Sequence, residues 1–296
     1  MKNLISIEKL KIEEINSLLK SASELDLNFV SNELRHKKVL LAFFEPSTRT
    51  KLSFELAAKN LGAETLDFLP NLSSINKGET LIDSLLTVQS MGVNVAIVRH
   101  PEEGIAKKLS ENLDMQIINA GDGMNQHPSQ ALLDALTLKE VFGELNDIKL
   151  TICGDILHSR VARSNIDLLS KLGVEISLCG PTKLIENRYS DMNRYENIDE
   201  AVKNSDVVMS LRIQHERMQE SKVPIVNEYF EKFGFKDSHF EKNKNIFLMH
   251  PGPVNYGVEV EDKALHHPRC LINDQVKNGV LIRMAIIKKV LGYSEN

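Results

Sequence analysis

Apolar runs along the chain alternate with segments whose apolar residues recur every three to four positions. Residues 38–44, Lys-Val-Leu-Leu-Ala-Phe-Phe, form an apolar run that predicts a buried strand. Residues 50–61 bring Leu52, Leu56 and Leu61 near one face, which predicts a helix. The same pattern predicts strands at 65–69, 93–98 and 116–119, with helices at 80–91 and 102–112 and a long one at 128–142. The alternation then restarts, with strands expected at 148–153, 174–179, 206–211 and 246–249. Helices are expected at 160–172, 198–204 and 224–233, with a closing helix at 276–291 that carries Val280, Met284 and Ile287 on one side. The polar stretch 234–245 reads as an exposed loop.

Strands that alternate with helices imply parallel sheets covered on both faces. The expected fold is therefore α/β, with two doubly wound domains joined by the helix at 128–142. The expected boundaries are 1–143, with the closing helix 276–292 packing back on it, and 144–275.

Composition narrows the function classes. Lys and Arg number 36 against 41 Asp and Glu, a net charge of −5, and there is no basic tract, which argues against a nucleic-acid binder. The longest apolar run, 39–44, has six residues, far short of a membrane span. The first ten residues carry charges where a secretory leader needs an apolar run. Cys153, Cys179 and Cys270 are an odd, widely spaced set without a Cys-x-x-Cys pair. These features lead us to expect a reducing, cytoplasmic setting, buried thiols at Cys153 and Cys179, and no structural metal.

Ligands of open parallel sheets bind beyond the carboxyl ends of the strands, so the loops there carry the chemistry. Phe44-Glu-Pro-Ser-Thr-Arg-Thr50 sets three hydroxyls and a guanidinium at a helix start, which suits a phosphate; one hydroxyl would suffice for capping. Asn71-Leu-Ser-Ser-Ile-Asn-Lys77-Gly-Glu-Thr80 presents a loop lysine, and on composition alone that is a solvated one. Arg99 ends a strand before His100 and Pro101, where a surface ion pair is the plainer role. In Gly121-Asp-Gly-Met-Asn-Gln-His127-Pro-Ser-Gln130, Pro128 suits the first helical position. A neutral His127 at that helix start could donate to a carbonyl oxygen. After Cys153, a single Gly154 lacks the G-x-G-x-x-G pattern and argues against a dinucleotide site. Arg160 at the next helix start is placed to fork a carboxylate. Arg212 and Gln214 share one face of an extended segment, and Met249-His-Pro-Gly-Pro253 forms the last loop.

Pro-Ser-Thr-Arg-Thr followed by Ser53-Phe-Glu55 resembles the carbamoyl-phosphate motif of the aspartate/ornithine carbamoyltransferase family. Six further motifs in the same order extend the resemblance over residues 5–292. The resemblance implies that Ser47, Thr48, Arg49 and Thr50 hold the phosphate, and that Thr50, Arg99 and His127 surround the carbonyl oxygen. It assigns Gln130 to the substrate amide, and Ser74 and Lys77 to a loop donated to a neighbouring subunit's site, with Ser73 the alternative to Ser74. Arg160, Arg212 and Gln214, with Lys77, would hold the acceptor, and the carbonyls of Pro251 and Gly252 would accept from substrate amines. His158 stands where relatives often carry Tyr.

Arg212-x-Gln214 and His250-Pro-Gly-Pro253 match the aspartate branch rather than the ornithine branch, whose His-Cys-Leu-Pro is absent. The implied reaction carbamoylates L-aspartate, an early step of de novo pyrimidine synthesis. It needs no cofactor and no metal. Implied partners are a homotrimer with shared sites and, beyond it, regulatory or dihydroorotase chains. Rival readings are another carbamoyltransferase, a non-catalytic relative and a dinucleotide oxidoreductase. The presence of Lys77, Arg99 and His127 weighs against the second.

Overall fold

The computed structural model describes residues 1–69, 78–214 and 226–292. The chain divides into two compact units, Met1–Leu136 with Val276–Asn296, and Thr137–Gln275.

The first unit contains strands β1 (Lys38–Phe43), β2 (Glu64–Phe68), β3 (Val95–His100) and β4 (Gln116–Asp122). All pair in parallel, in the order β2-β1-β3-β4. Parallel pairing requires a crossover after each strand. Helices α2 (Thr48–Asn60), α3 (Leu81–Ser90) and α4 (Ile105–Asn112) supply those crossovers. Helix α1 (Ile12–Ser23) precedes the sheet, and its buried Ile15, Leu18, Leu19 and Ala22 recur at helical spacing. Leu40, Ala42, Ala96 and Val98 on the central strands pack against Leu85, Ala106 and Leu109 of the helices.

Helix α5 (Pro128–Phe142) has the predicted bounds and contains the point where the chain passes from one unit to the other. The closing helix α10 (Ile272–Val290) packs on the first unit. Its Arg283 guanidinium lies 4.9 Å from the centre of the Phe54 ring, and Lys288 pairs with Glu33 at 3.1 Å. It begins four residues before the expected start at 276. The extra turn, Ile272 to Gln275, is mostly polar and carries no apolar periodicity; it starts where Gln275 N donates to Leu271 O.

The second unit repeats the plan with β5 (Lys149–Cys153), β6 (Glu175–Cys179), β7 (Arg194–Tyr195), β8 (Val207–Ser210) and β9 (Phe247–Met249). They form a parallel sheet in the order β7-β6-β5-β8-β9. Helices α6 (Arg160–Lys171), α7 (Ile198–Asn204), α8 (Val226–Phe233) and α9 (Ser238–Lys242) accompany it. Cys153 and Cys179 are free, buried thiols at the ends of adjacent strands.

The stretch 234–245 is not the exposed loop expected. It contains α9 and sends Phe235, His239 and Phe240 into the core, with the two Phe rings 5.0 Å apart. Three rings set among polar residues escape a reading based on average polarity, yet each buries a large apolar area.

Candidate active site

Both sheets reverse their strand order at one place. In the first unit, β1 is followed by β2 on one side, and the chain then returns to place β3 on the other. Such a reversal leaves a crevice at the strand ends, where ligands of doubly wound sheets bind. The loop 44–47 leaves β1 at this point and Arg99 leaves β3. Phe43 is opposite Arg99 in the register, and Phe44 N donates to Arg99 O at 2.8 Å.

The side chains join there as well. Arg99 Nη1 donates to Ser47 Oγ at 3.1 Å, and Nε donates to the Glu45 carboxylate at 3.3 Å. Ser47 occupies the position before α2, but its side chain makes no capping bond. The hydroxyl therefore serves the Arg99 contact, and the first-turn N–H groups of α2 are left to another acceptor. Thr50 is buried, whereas Thr48 and Arg49 are exposed. Ser53 Oγ closes the turn by donating to Arg49 O at 2.6 Å. A helix start carrying hydroxyls and two guanidinium groups is suited to a phosphate. His100, next along, accepts from Glu102 N at its Nδ1 (3.0 Å) and packs edge-on against Phe44. Burial lowers its pKa, with Glu102 and Glu45 opposing.

His127 and Gln130 are buried at the start of α5, and Gln130 N donates to His127 O at 3.0 Å. The loop before them is organised by Asp122, a residue the motif reading passed over. Its buried carboxylate accepts from Asn119 Nδ2, Gln126 N, Gly104 N and Asn125 Nδ2 at 2.8–3.1 Å. A carboxylate with four donors fixes a turn firmly, because each charge-assisted bond is short and strong. The only local signal is its place between Gly121 and Gly123 at a strand end.

In the second unit the reversal lies between β5 and β8. Gly154 leaves β5 at φ +132°, and a Cβ there would lie 2.6 Å from Leu211 O. The two strand exits thus approach more closely than a side chain would allow. Arg160 is buried at the first position of α6, whose cap is Ser159 Oγ accepting from Ala162 N at 3.1 Å. Leu211 and Ile213 are buried while Arg212 and Gln214 are half-exposed, the alternation expected of an extended segment.

Asp155, fully buried, ties these two exits together. It accepts from His158 N and the His158 ring, at 2.9 Å to Nδ1, and from Gln214 N at 3.4 Å. Gln214 Nε2 in turn donates to His158 O at 3.0 Å. Burial pushes the Asp155 carboxyl pKa up, and the His158 contacts oppose that shift. The next strand exit carries Pro251 and Gly252. There Gly252 N donates to His250 Nδ1 at 2.8 Å, and Asn255 N donates to the buried Glu259 carboxylate at 3.1 Å.

The structure therefore brings Ser47, Thr48, Arg49, Thr50 and Arg99 to one strand-end region, and His127 and Gln130 to the start of α5 beyond the neighbouring strand β4. Arg160, Arg212 and Gln214 gather at the reversal of the second sheet, with Pro251 and Gly252 at the adjacent strand exit. Ser73, Ser74 and Lys77 lie outside the described residues. Among the described residues, no group of three or more His, Cys, Asp or Glu is arranged to hold a metal ion, and no helix is long and apolar enough to cross a membrane.

Two family models match in tandem. "Aspartate/ornithine carbamoyltransferase, carbamoyl-P binding domain" covers residues 2–140, and "Aspartate/ornithine carbamoyltransferase, Asp/Orn binding domain" covers 146–290. The aspartate carbamoyltransferase catalytic subunit of Listeria welshimeri is 45% identical over 292 residues, 98% of this chain and 96% of the relative. That of Carboxydothermus hydrogenoformans is 43% identical over 305 aligned positions, 100% of this chain and 97% of the relative. Among solved structures, aspartate transcarbamoylase from Trypanosoma cruzi in complex with N-(phosphonacetyl)-L-aspartic acid superposes with a TM-score of 0.87 at 29% identity, covering 98% of this chain and 95% of that one.

Proposed function

Because the chain belongs to the aspartate/ornithine carbamoyltransferase family, we propose that it transfers the carbamoyl group of carbamoyl phosphate to the amine of L-aspartate, giving N-carbamoyl-L-aspartate and phosphate. The observation that carries this reading is the Arg99–Ser47 contact at the reversal of the first sheet. It joins two motifs 52 residues apart into one anion-binding group.

Ser47, Thr48, Arg49 and Thr50 bind the phosphate. Thr50, Arg99 and His127 stabilise the carbonyl oxygen as it gains negative charge, and Gln130 binds the carbamoyl amide. Arg160 and Arg212 hold the two aspartate carboxylates, with Gln214 beside them. The neutral amine attacks the carbonyl carbon, the bond from that carbon to the phosphate oxygen breaks, and the departing phosphate takes the amine proton. Positioning and charge stabilisation supply the acceleration, and no redox step is involved.

Aspartate is favoured over ornithine because two cationic side chains suit a second carboxylate and repel an ammonium. Phosphate release from carbamoyl phosphate with L-aspartate, measured against L-ornithine, tests this directly. Turnover with ornithine alone would sink the reading.

The active form is a cytoplasmic homotrimer with Lys77 and a loop serine donated across subunits, serving pyrimidine synthesis. Support comes from the exposed apolar side chains of Leu52 and Leu56 on α2, Leu66 on the edge strand β2, and Leu69, all at least 41% exposed. A native mass of one chain would contradict the trimer.

A further inference from the structure

Gln130 poses a problem of orientation that its own motif does not solve. A side-chain amide has one donor end and one acceptor end, nearly equal in shape. The carbamoyl NH2 of the proposed substrate is a donor, so Gln130 must offer it Oε1. An amide turned over would set NH2 against NH2.

The answer lies one helical turn further along α5. Gln130 Nε2 donates to Asp134 Oδ1 at 3.0 Å, and Asp134 is fully buried. An ionised carboxylate only accepts, so it selects the orientation in which Nε2 points at Asp134 and Oε1 points away. The nearby positive charge that interacts favourably with Asp134 is Arg283 of α10. Its guanidinium is buried, stacks on Phe54 of α2 and donates from Nη1 to Gly279 O at 3.0 Å. Burial lowers the Arg283 pKa to about 9, Asp134 opposes that shift and Arg99 adds to it. The guanidinium therefore stays charged at neutral pH.

We propose that Asp134, backed by Arg283, is a positioning residue that fixes the Gln130 amide with its oxygen presented to the carbamoyl NH2. This rests on the function proposed above, and it assigns to two buried charges a role in substrate recognition as well as in packing.

A steady-state double-mutant cycle on the full chain tests it, with N-carbamoyl-L-aspartate formation as the readout. Asp134→Asn keeps the size of the side chain but can donate as well as accept, so both Gln130 orientations become populated. The expected result is a rise of about tenfold in KM for carbamoyl phosphate with kcat within about twofold. In a Gln130→Ala background, the same substitution should change KM by less than about twofold, because no amide is left to orient.

An unchanged KM in folded Asp134→Asn, or losses that multiply in the double variant, would overturn the proposal. Should Asp134→Asn fail to fold, Asp134→Asn with Arg283→Met removes both charges together and is judged by the same KM criteria. Wild-type turnover separates the two levels of argument. A wild type that makes no carbamoyl aspartate removes the proposed function and this role with it, whereas an active wild type with a flat cycle removes only the role of Asp134.

Discussion

The two units solve the same architectural problem with different chemistry at the strand ends. Each is a parallel sheet whose order reverses once, between β1 and β3 in the first and between β5 and β8 in the second. Each has a buried aspartate organising the loops there. Asp122 in the first accepts from four neutral donors and ties the turn after β4 to Gly104 in the loop after β3. Asp155 in the second has the His158 N–H, the His158 imidazole and the more distant Gln214 N–H as partners, and links the exits of β5 and β8. Both aspartates thus join neighbouring strand exits, the first through bonds of 2.8–3.1 Å from neutral donors and the second through bonds of 2.9–3.4 Å that include an imidazole. A common fold sets where a site lies, and the polar groups buried beneath it set how firmly it is held.

The largest effects are expected at the arginines of the two units. Arg49→Ala should cut activity by at least about a thousandfold and abolish carbamoyl phosphate binding by calorimetry, since it removes a charge from the phosphate cradle. Arg212→Ala should leave that binding intact and raise KM for aspartate by about a hundredfold. If Arg212→Ala weakened carbamoyl phosphate instead, the assignment of one substrate to each unit would fail.

A smaller effect separates the two aspartates. Asp122→Asn sets an NH2 group against existing donors and should cost about 2 kcal/mol in urea unfolding. Asp155→Asn should cost less, because its bonds are longer and the substitution relieves a buried charge. Equal losses would remove the contrast between the two aspartates.

The smallest effect concerns pH. His239 of the second unit accepts from Lys236 N at Nδ1, so its proton sits on Nε2, 3.1 Å from Asp199. Burial holds its pKa below the ordinary 6.5. The unfolded chain therefore takes up the proton first, and the stability from neutral His239 is lost as pH falls from about 6.5 toward the lower folded value. Melting temperatures from pH 7.5 down to about 5.5 should fall more steeply for the wild type than for His239→Gln. Parallel slopes would refute this.

Much of the molecule is legible in the sequence. A proline at the first position and dense leucines mark helix α5 locally from Pro128 to Phe142. Strands β1 and β3 were visible as apolar runs for the same reason: a central strand is buried on both faces. The candidate side chains could be named because each belongs to a short contiguous motif. Phe235 and Phe240 are not legible in the sequence, because burial of single rings among polar neighbours leaves no local trace.

By itself, then, the sequence determined the alternation of strands and helices, the parallel sheets they require and the family to which the chain belongs. The tertiary structure decided the strand order, and with it which loops lie together. It also decided which polar groups support the site. Asp122 meets Gly104 from 18 residues away, and Asp155 meets Gln214 across 59. Arg283 reaches Phe54 from the opposite end of the chain. Local periodicity records which face of an element is buried; a buried charge is explained only by its partner, and here the partners come from distant parts of the chain.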